Sequence, residues 1–342
     1  MRRKTSIVLV AIMLVGLFAF AGCGKEQLKL GLGIVSSYSS LKDATEDANG
    51  QGEVDGTAVA VLIDKNGKIV QMAMDVAQNK PTWTADGKFV DAESYPSKRQ
   101  KGDAYGMAAH GTDRNGDGKV GEWYEQADAF IKLCIGKTSD EVKAFAGADN
   151  YGNDDVQKAG CTIHVNEFIE ATVKAIANAE DTTATADMTL GLGADSQASH
   201  SNKDATEEAD GLNEVDTVFV AAVKDKDGKV VVAKTDSIQG KFTFNAKGAC
   251  TLDVNTAIQT KLEQGDNYNM AKFGQNQDRN GDGKVLEWYD QAAAFNKFLT
   301  GHTKSEISGF VGSDGYGVAD LQTAGCTISV GSMVKAAVDA VD

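Results

Sequence analysis

The chain has 342 residues, of which 42% are hydrophobic and 24% charged, and its formal net charge is −15. This apolar fraction is typical of a folded protein and excludes a disordered chain, and the length suggests about two domains. The negative charge excludes the Lys/Arg-rich surface that binding to nucleic-acid phosphates requires, so we expect no nucleic-acid partner.

The N-terminal segment, 1–22, is typical of a secretory signal peptide. Three of its first four residues are basic, residues 7–21 are almost entirely apolar, and small residues precede Cys23. Because it ends at a cysteine, the segment resembles a bacterial lipoprotein signal. The resemblance implies lipidation of Cys23, a short tether over 23–28 and attachment to the extracytoplasmic face of the cell membrane. An ordinary cleaved signal and a single anchoring helix are the alternatives.

The rest of the sequence consists of two similar copies. An eight-residue run is identical at 113–120 and 278–285, and shorter matches such as Leu-Gly-Leu-Gly and Glu-Val-Asp accompany it in the same order. A repeat of this length indicates tandem globular domains rather than a solenoid. We therefore expect a first copy over 29–179, a polar linker over 180–188 and a second, homologous copy over 189–342.

Each copy contains strand signals followed by helix signals. Residues 57–63 and 68–74 are strand-like, and the Asn-Gly between them is a strong hairpin signal. Farther along, apolar residues three or four apart predict a helix from Trp123, and residues 161–165 look like a strand leading into an amphipathic helix. The predicted fold class is α+β, with two tandem homologous domains, each a hairpin-built antiparallel sheet packed with helices.

An acidic loop in each copy resembles the first half of EF-hand and dockerin calcium loops. Oxygen ligands at alternate positions, followed by a glycine at a sharp turn, suit a hard cation such as Ca²⁺. The twelfth position, a bidentate Glu in an EF-hand, is Tyr124 or Tyr289 here. A solvated turn entering a helix is the alternative. The candidate ligands are Asp113, Asn115, Asp117, Lys119 and Glu122 in the first copy, and Asp278, Asn280, Asp282, Lys284 and Glu287 in the second. The two lysines would contribute only their backbone carbonyls.

The tetrapeptide Ala-Gly-Cys-Thr occurs once in each copy and ends at Thr162 and Thr327. With the preceding hairpin and the following apolar helix, it resembles the attachment segment of FMN-binding domains in Rnf-type and sodium-pumping redox complexes and in extracellular electron-transfer lipoproteins. The resemblance spans both copies. It implies that the phosphate of FMN is esterified to Thr162 and Thr327, and that Gly160 and Gly325 allow its close approach.

Both copies depart from the family's Asp-x-x-Ser/Thr-Gly-Ala-Thr motif. Ala replaces the hydroxyl residue, Cys161 and Cys326 replace the second Ala, and the preceding acids lie one residue too far upstream. Outside the cytoplasm, the cysteines could form one disulfide per copy, pairing Cys134 with Cys161 and Cys250 with Cys326, or could remain buried free thiols. The sequence leaves both alternatives open.

Two functions account for these features. In the first, the chain is a cell-surface lipoprotein whose FMN-binding-like domains form a flavin-based electron carrier with redox partners at the surface, and a flavin could stack on Trp123 or Trp288. In the second, the chain is a non-catalytic, calcium-stabilised binding or structural lipoprotein without flavin. No Ser/His/Asp set or HExxH motif occurs, so we expect a carrier or binding protein rather than a turnover enzyme, of unspecified oligomeric state.

Overall fold

The computed structural model describes residues 25–90, 92, 94–273 and 278–342. The predicted signal peptide and Cys23 lie outside these residues. The α+β prediction is confirmed, because the described residues form two antiparallel sheets together with helices.

The first sheet is built around a long central strand, β2 (Gly50–Ile63), which pairs with β1 (Gln27–Lys42) on one side and β3 (Ile69–Asn79) on the other. Short strands β4 (Thr82–Trp83) and β5 (Phe89–Val90) extend this sheet beyond the end of β3. The predicted hairpin is present between β2 and β3, where Asp64 accepts hydrogen bonds from the N–H groups of the turn.

A sixth strand, β6 (Glu180–Thr185), pairs with the outer edge of β1. It falls within 180–188, the segment that the sequence predicts as a linker. The second sheet then repeats the three-stranded order with β7 (Thr189–Ala198), a central β8 (Gly211–Lys224) and β9 (Val230–Phe244).

Among the described residues, no helix is both long and apolar enough to cross a membrane.

The helices of the two copies occur in the same order along the chain. The helices of the first copy are α1 (Lys98–Lys101), α2 (Met107–His110), α3 (Trp123–Cys134), α4 (Ser139–Lys143), α5 (Asp154–Lys158) and α6 (Asn166–Ala177). Those of the second copy are α7 (Lys261–Gln264), α8 (Met270–Phe273), α9 (Trp288–Leu299), α10 (Lys304–Ile307), α11 (Ala319–Thr323) and α12 (Gly331–Ala340).

The prediction of a strand at 161–165 is wrong. This segment is a tight turn, within which only His164 forms an isolated bridge, to Tyr151. Its backbone N–H groups are taken by nearby carbonyls and by a side chain: Cys161 donates to Val156 and Thr162 donates to Gln126. Cys161 and Val165 are buried in the core beneath the helices, and neither belongs to a sheet.

Each central strand is buried on both faces, and its side chains alternate between two cores. In β2, Val59 and Val61 pack with the helices of the first copy, whereas Ala60 and Leu62 join a core between the two sheets. Strand β8 alternates in the same way. The described residues therefore form four layers, in the order helices, sheet, sheet and helices.

The Leu-Gly-Leu-Gly repeats allow the last helix of each copy to touch its sheet. Leu30 and Leu32 point into the core between the sheets, whereas a Cβ atom added to Gly33 would overlap the backbone of α6 at Ala171 and Ala175. Gly191 and Gly193 meet α12 in the same way, at Ala340 and Ala336. These glycines are needed because helix and strand are in backbone contact.

We expect Gly33→Ala to lower the free energy of unfolding by about 1–3 kcal/mol or more, because backbone atoms cannot yield as a flexible side chain can. Gly331→Ala, in the first turn of α12, is the control, since no atom lies within 4 Å of its added Cβ. We expect this control to be neutral or slightly stabilising. Urea denaturation of both variants measures the difference. Equal stabilities would contradict the contact.

Candidate functional site

Two cavities, one in each copy, are lined by corresponding residues. Their volumes are about 520 Å³ in the first copy and about 280 Å³ in the second. Each lies between the central strand, the first short helix, the start of the long helix and the Ala-Gly-Cys-Thr segment. The shared lining residues are Asp55, Lys98, Met107, Trp123, Tyr151 and Thr162 in the first copy, and Asp216, Lys261, Met270, Trp288, Tyr316 and Thr327 in the second.

The two threonines singled out by the sequence lie in these walls. The backbone N–H and the hydroxyl of Thr162 both donate to Oε1 of Gln126, at 2.8 and 3.1 Å. Thr327 makes the same pair of bonds to Gln291, at 2.7 and 3.2 Å. Their exposed fractions are 7% and 6%. Each hydroxyl is thus held in the cavity wall by a glutamine.

In the described structure, Gly160 and Gly325 adopt a backbone conformation that other residues rarely adopt. Their φ angles are 101° and 105°, in the region that favours glycine. A Cβ atom at Gly160 would meet only the Cβ of Ala129, at 3.9 Å. The glycine of the tetrapeptide therefore allows the turn that brings the threonine to the wall.

A lysine makes cation–π contacts with aromatic rings in each cavity. Nζ of Lys98 lies 5.8 Å from the ring centroid of Trp123, and Nζ of Lys261 lies 5.6 Å from that of Trp288. Nζ of Lys261 is also 3.6 Å from Oδ1 of Asp216. Burial opposes the charge of Lys261, but Asp216 and Tyr268 outweigh it and raise its pKa. This cavity therefore holds a charged lysine.

Buried aspartates fix the helices that carry these lysines. Asp75 accepts hydrogen bonds from the hydroxyl of Ser97 and the N–H of Arg99, at 2.5 and 3.1 Å. Asp236 likewise accepts from the N–H of Leu262, at 3.1 Å. Burial raises the pKa of both carboxyl groups, and that of Asp236 reaches about 6. These bonds anchor the N-termini of α1 and α7 to strands β3 and β9.

The cavities differ at one acidic position. Glu167 lies in the first wall, where its carboxylate accepts hydrogen bonds from the hydroxyls of Ser37 and Thr57, both at 3.0 Å. The corresponding residue in the second wall is Ser332. The first cavity therefore contains one more carboxylate than the second.

Sequence reasoning missed the aspartate and the lysine of each cavity. A signal for both was present: Asp55 and Asp216 end the repeated Glu-Val-Asp, and Lys98 and Lys261 begin a repeated Lys-x-x-x-Gly-Asp-x-Tyr. These segments are distant in sequence and match no familiar motif, so only the fold brings them together.

The acidic loops hold their own carboxylates by hydrogen bonds. Asp113 accepts from the N–H groups of Gly116 and Gly118, at 2.8 and 2.9 Å, and Asp117 accepts from that of Lys119, at 2.8 Å. The Asn115 amide donates to Asp117. The second loop follows the same pattern: Asp278 accepts from Gly283, Asp282 from Lys284, and Asn280 donates to Asp282.

The glutamates proposed as further ligands are placed elsewhere. The Glu122 carboxylate accepts hydrogen bonds from the N–H groups of Met107 and Ala108, at 2.9 and 3.2 Å, and so caps the start of α2. Glu287 does the same at the start of α8. In the described part of the chain, no group of three or more His, Cys, Asp or Glu residues is placed to hold a metal ion.

A cation–π contact joins each acidic loop to the neighbouring cavity. The guanidinium of Arg114, the second residue of the repeated run, lies 3.6 Å from the ring centroid of Tyr151, a wall residue. Arg279 lies 3.7 Å from that of Tyr316. The position of the loop is therefore tied to the cavity wall.

The four cysteines of the described chain are free thiols. Cys134, Cys161 and Cys326 are buried. Burial raises the pKa of Cys161 and of Cys326 to about 12, and that of Cys134 is raised as well. Of the two alternatives that the sequence leaves open, the structure has the free thiols, and the raised pKa values disfavour the reactive thiolate at the three buried ones.

The chain shares a segment with a curated reductase. It is 33% identical over 131 residues to a chlorophenol reductase of Desulfitobacterium hafniense, which covers 34% of the chain and 37% of that relative. The chain thus spans little more than a third of that relative's length. No protein-family model matches the chain, and no solved structure matches it significantly.

We expect Asp236→Asn to change how stability depends on pH. The folded state holds a proton on Asp236 up to a pKa of about 6, whereas an unfolded Asp releases it near pH 4. Raising the pH through this window therefore lowers the stability of the unaltered protein. The variant loses this component, on the order of 3 kcal/mol.

Urea denaturation between pH 4 and 7 measures this effect, with the exposed Asp47→Asn as the control. Parallel pH profiles for Asp236→Asn and the unaltered protein would refute the proposed titration of Asp236.

Proposed function

We propose that the chain is a lipoprotein of the extracytoplasmic membrane face that carries electrons through flavin-type cofactors, one in each cavity. The observation that carries this proposal is the repetition of one set of wall residues around two cavities, with the threonines of the flavin-like motif in both walls. The segment shared with a chlorophenol reductase supports a role in redox chemistry.

The walls suit a flat ring with polar edges. Each contains a tryptophan, only 1% exposed in the first copy and 3% in the second, together with hydrogen-bonding groups of both kinds. The first cavity, at about 520 Å³, has the size usual for a small-molecule site, and the second, at about 280 Å³, is roughly half as large. The two carboxylates of the first cavity, Asp55 and Glu167, are balanced by Lys98 and Arg114, the cations that could pair with a phosphate.

The cofactor, when bound, would supply the electron transfer itself, and the chain would supply position and environment. Trp123 and Trp288 would limit the orientation of the ring, and Lys98 and Lys261 would place a positive charge beside it. The lysines are preorganised for this role because the buried aspartates fix their helices.

Covalent attachment would use the hydroxyls of Thr162 and Thr327. Each donates to a glutamine in the described structure, so attachment requires that this hydrogen bond be given up. The lipid anchor at Cys23 and redox partners at the cell surface are part of the same proposal, and they rest on the sequence.

We expect the intact mass of the mature chain from its native host to exceed the polypeptide mass by one FMN ester per threonine, together with flavin absorbance. Thr162→Val preserves the side-chain shape but removes the hydroxyl, so it should remove one mass increment. Thr162→Ser keeps a hydroxyl and is the matched control. An unmodified mass with no flavin absorbance would contradict the proposal for both cavities.

A second candidate is a calcium-stabilised surface protein that binds without flavin. The observation in its favour is the identical run in both copies, in which two aspartates and an asparagine are drawn into one turn. A cation bound there would strengthen a loop that contacts the cavity wall through Arg114.

If these loops bind Ca²⁺ with the affinity typical of extracellular modules, millimolar Ca²⁺ should raise the melting temperature by a few degrees. EDTA should reverse this increase. Asp117→Asn with Asp282→Asn should abolish it, because both changes remove a charge and leave an oxygen to accept the turn's N–H. Identical melting temperatures with Ca²⁺ and with EDTA would exclude this role.

A further inference from the structure

A buried carboxylate oxygen without a hydrogen-bond partner occurs at the same position of both cavities. Asp55 is only 9% exposed, and within the described chain its Oδ1 atom has no hydrogen bond. Oδ1 of Asp216, the corresponding residue, has none from the described residues either. Both residues line their cavities.

An unpaired buried acceptor costs folding free energy, and the cost is larger when the acceptor is charged. The same feature recurs at the corresponding position of the second copy. A group absent from the structure, such as a ligand, is one explanation for a buried acceptor of this kind.

The neighbouring groups leave these oxygens without a hydrogen bond. Lys261 approaches Asp216 to 3.6 Å, which is an ion pair without a hydrogen bond, and no ion pair to Asp55 forms among the described residues. The Thr162 hydroxyl is occupied by Gln126. The other carboxylate of the first wall, Glu167, already accepts two hydroxyls. Oδ1 of Asp55 therefore has no hydrogen-bond donor among the described residues.

We propose that Asp55 and Asp216 select the ligand by accepting a hydrogen bond from a ring N–H, as in the imide edge of a heteroaromatic ring. In such an edge the N–H stands beside a carbonyl, so an acceptor and a donor next to each other can bind both. Asp216 and Lys261 are such a pair, and Trp288 lines the same cavity. This inference deepens the proposed function and rests on it.

The test uses the full mature chain, produced without a flavin transferase, and two probes. Riboflavin carries the imide N–H, and 3-methylriboflavin has a methyl group in its place. Loss of a charge-assisted hydrogen bond should weaken binding of the methylated probe by about 10-fold or more, measured by flavin fluorescence. Asp55→Asn with Asp216→Asn should remove most of this discrimination, and the corresponding Ala variants should remove it entirely.

Glu53→Gln is the matched control, because this carboxylate on the same strand already binds Lys80 and Gln78, and it should keep the discrimination. Equal affinity of the unaltered protein for both probes would overturn the inference while leaving flavin binding in place. If neither flavin binds, uracil and 3-methyluracil test recognition of an imide N–H separately from flavin binding. Aspartate-dependent preference for uracil would support the inference and contradict flavin as the ligand, whereas no preference would overturn the inference.

Discussion

Leu30 and Leu32 of β1 share one buried core with Phe219 and Ile238 of the second sheet, and this contact occupies one face of each sheet. The helices of each copy can therefore pack only on the opposite face. There the glycines between the leucines let α6 and α12 come into backbone contact with β1 and β7. The cavities form on these helix-covered faces, where the central strand, the helices and the turn before the last helix meet.

Much of this arrangement could be predicted where the signal is local. The Asn-Gly turn specifies the hairpin, and apolar spacing specifies the long helices α3 and α6. Strand β6 could not be predicted in this way, because its polar residues look like a linker and its partner strand lies at the other end of the first copy. The strand prediction at 161–165 failed for the opposite reason. The segment is rich in β-branched residues, which favour strands, but in the fold it forms a turn.

Only part of the candidate site could be predicted from the sequence, because only local patterns can be recognised there. Thr162 stands in a motif that resembles a known one, so it could be found. Asp55 lies on β2 and Lys98 on a four-residue helix, and no local spacing relates them. The repeat itself was the usable signal, since a residue kept in both copies at a strand or a helix cap must serve the fold or the cavity.

The two cavities share much of their wall but differ in its charged groups: the first contains Glu167 and Arg114 besides Asp55 and Lys98, whereas Ser332 takes the place of Glu167 in the second. Under the proposed function, this difference would give two identical cofactors different surroundings, and reduction potential depends on such surroundings. A pair of unequal sites suits a carrier that passes electrons in one direction. The duplication would then supply a second, distinct site.

Under the proposed function, each copy holds one redox-active cofactor. Anaerobic reductive titration of the intact protein from its native host, followed by flavin absorbance, measures how many there are. We expect bleaching that requires two two-electron equivalents per chain. If no bleaching occurs, the chain is not a flavin carrier, and an end point at one equivalent would show that only one cavity is a redox site.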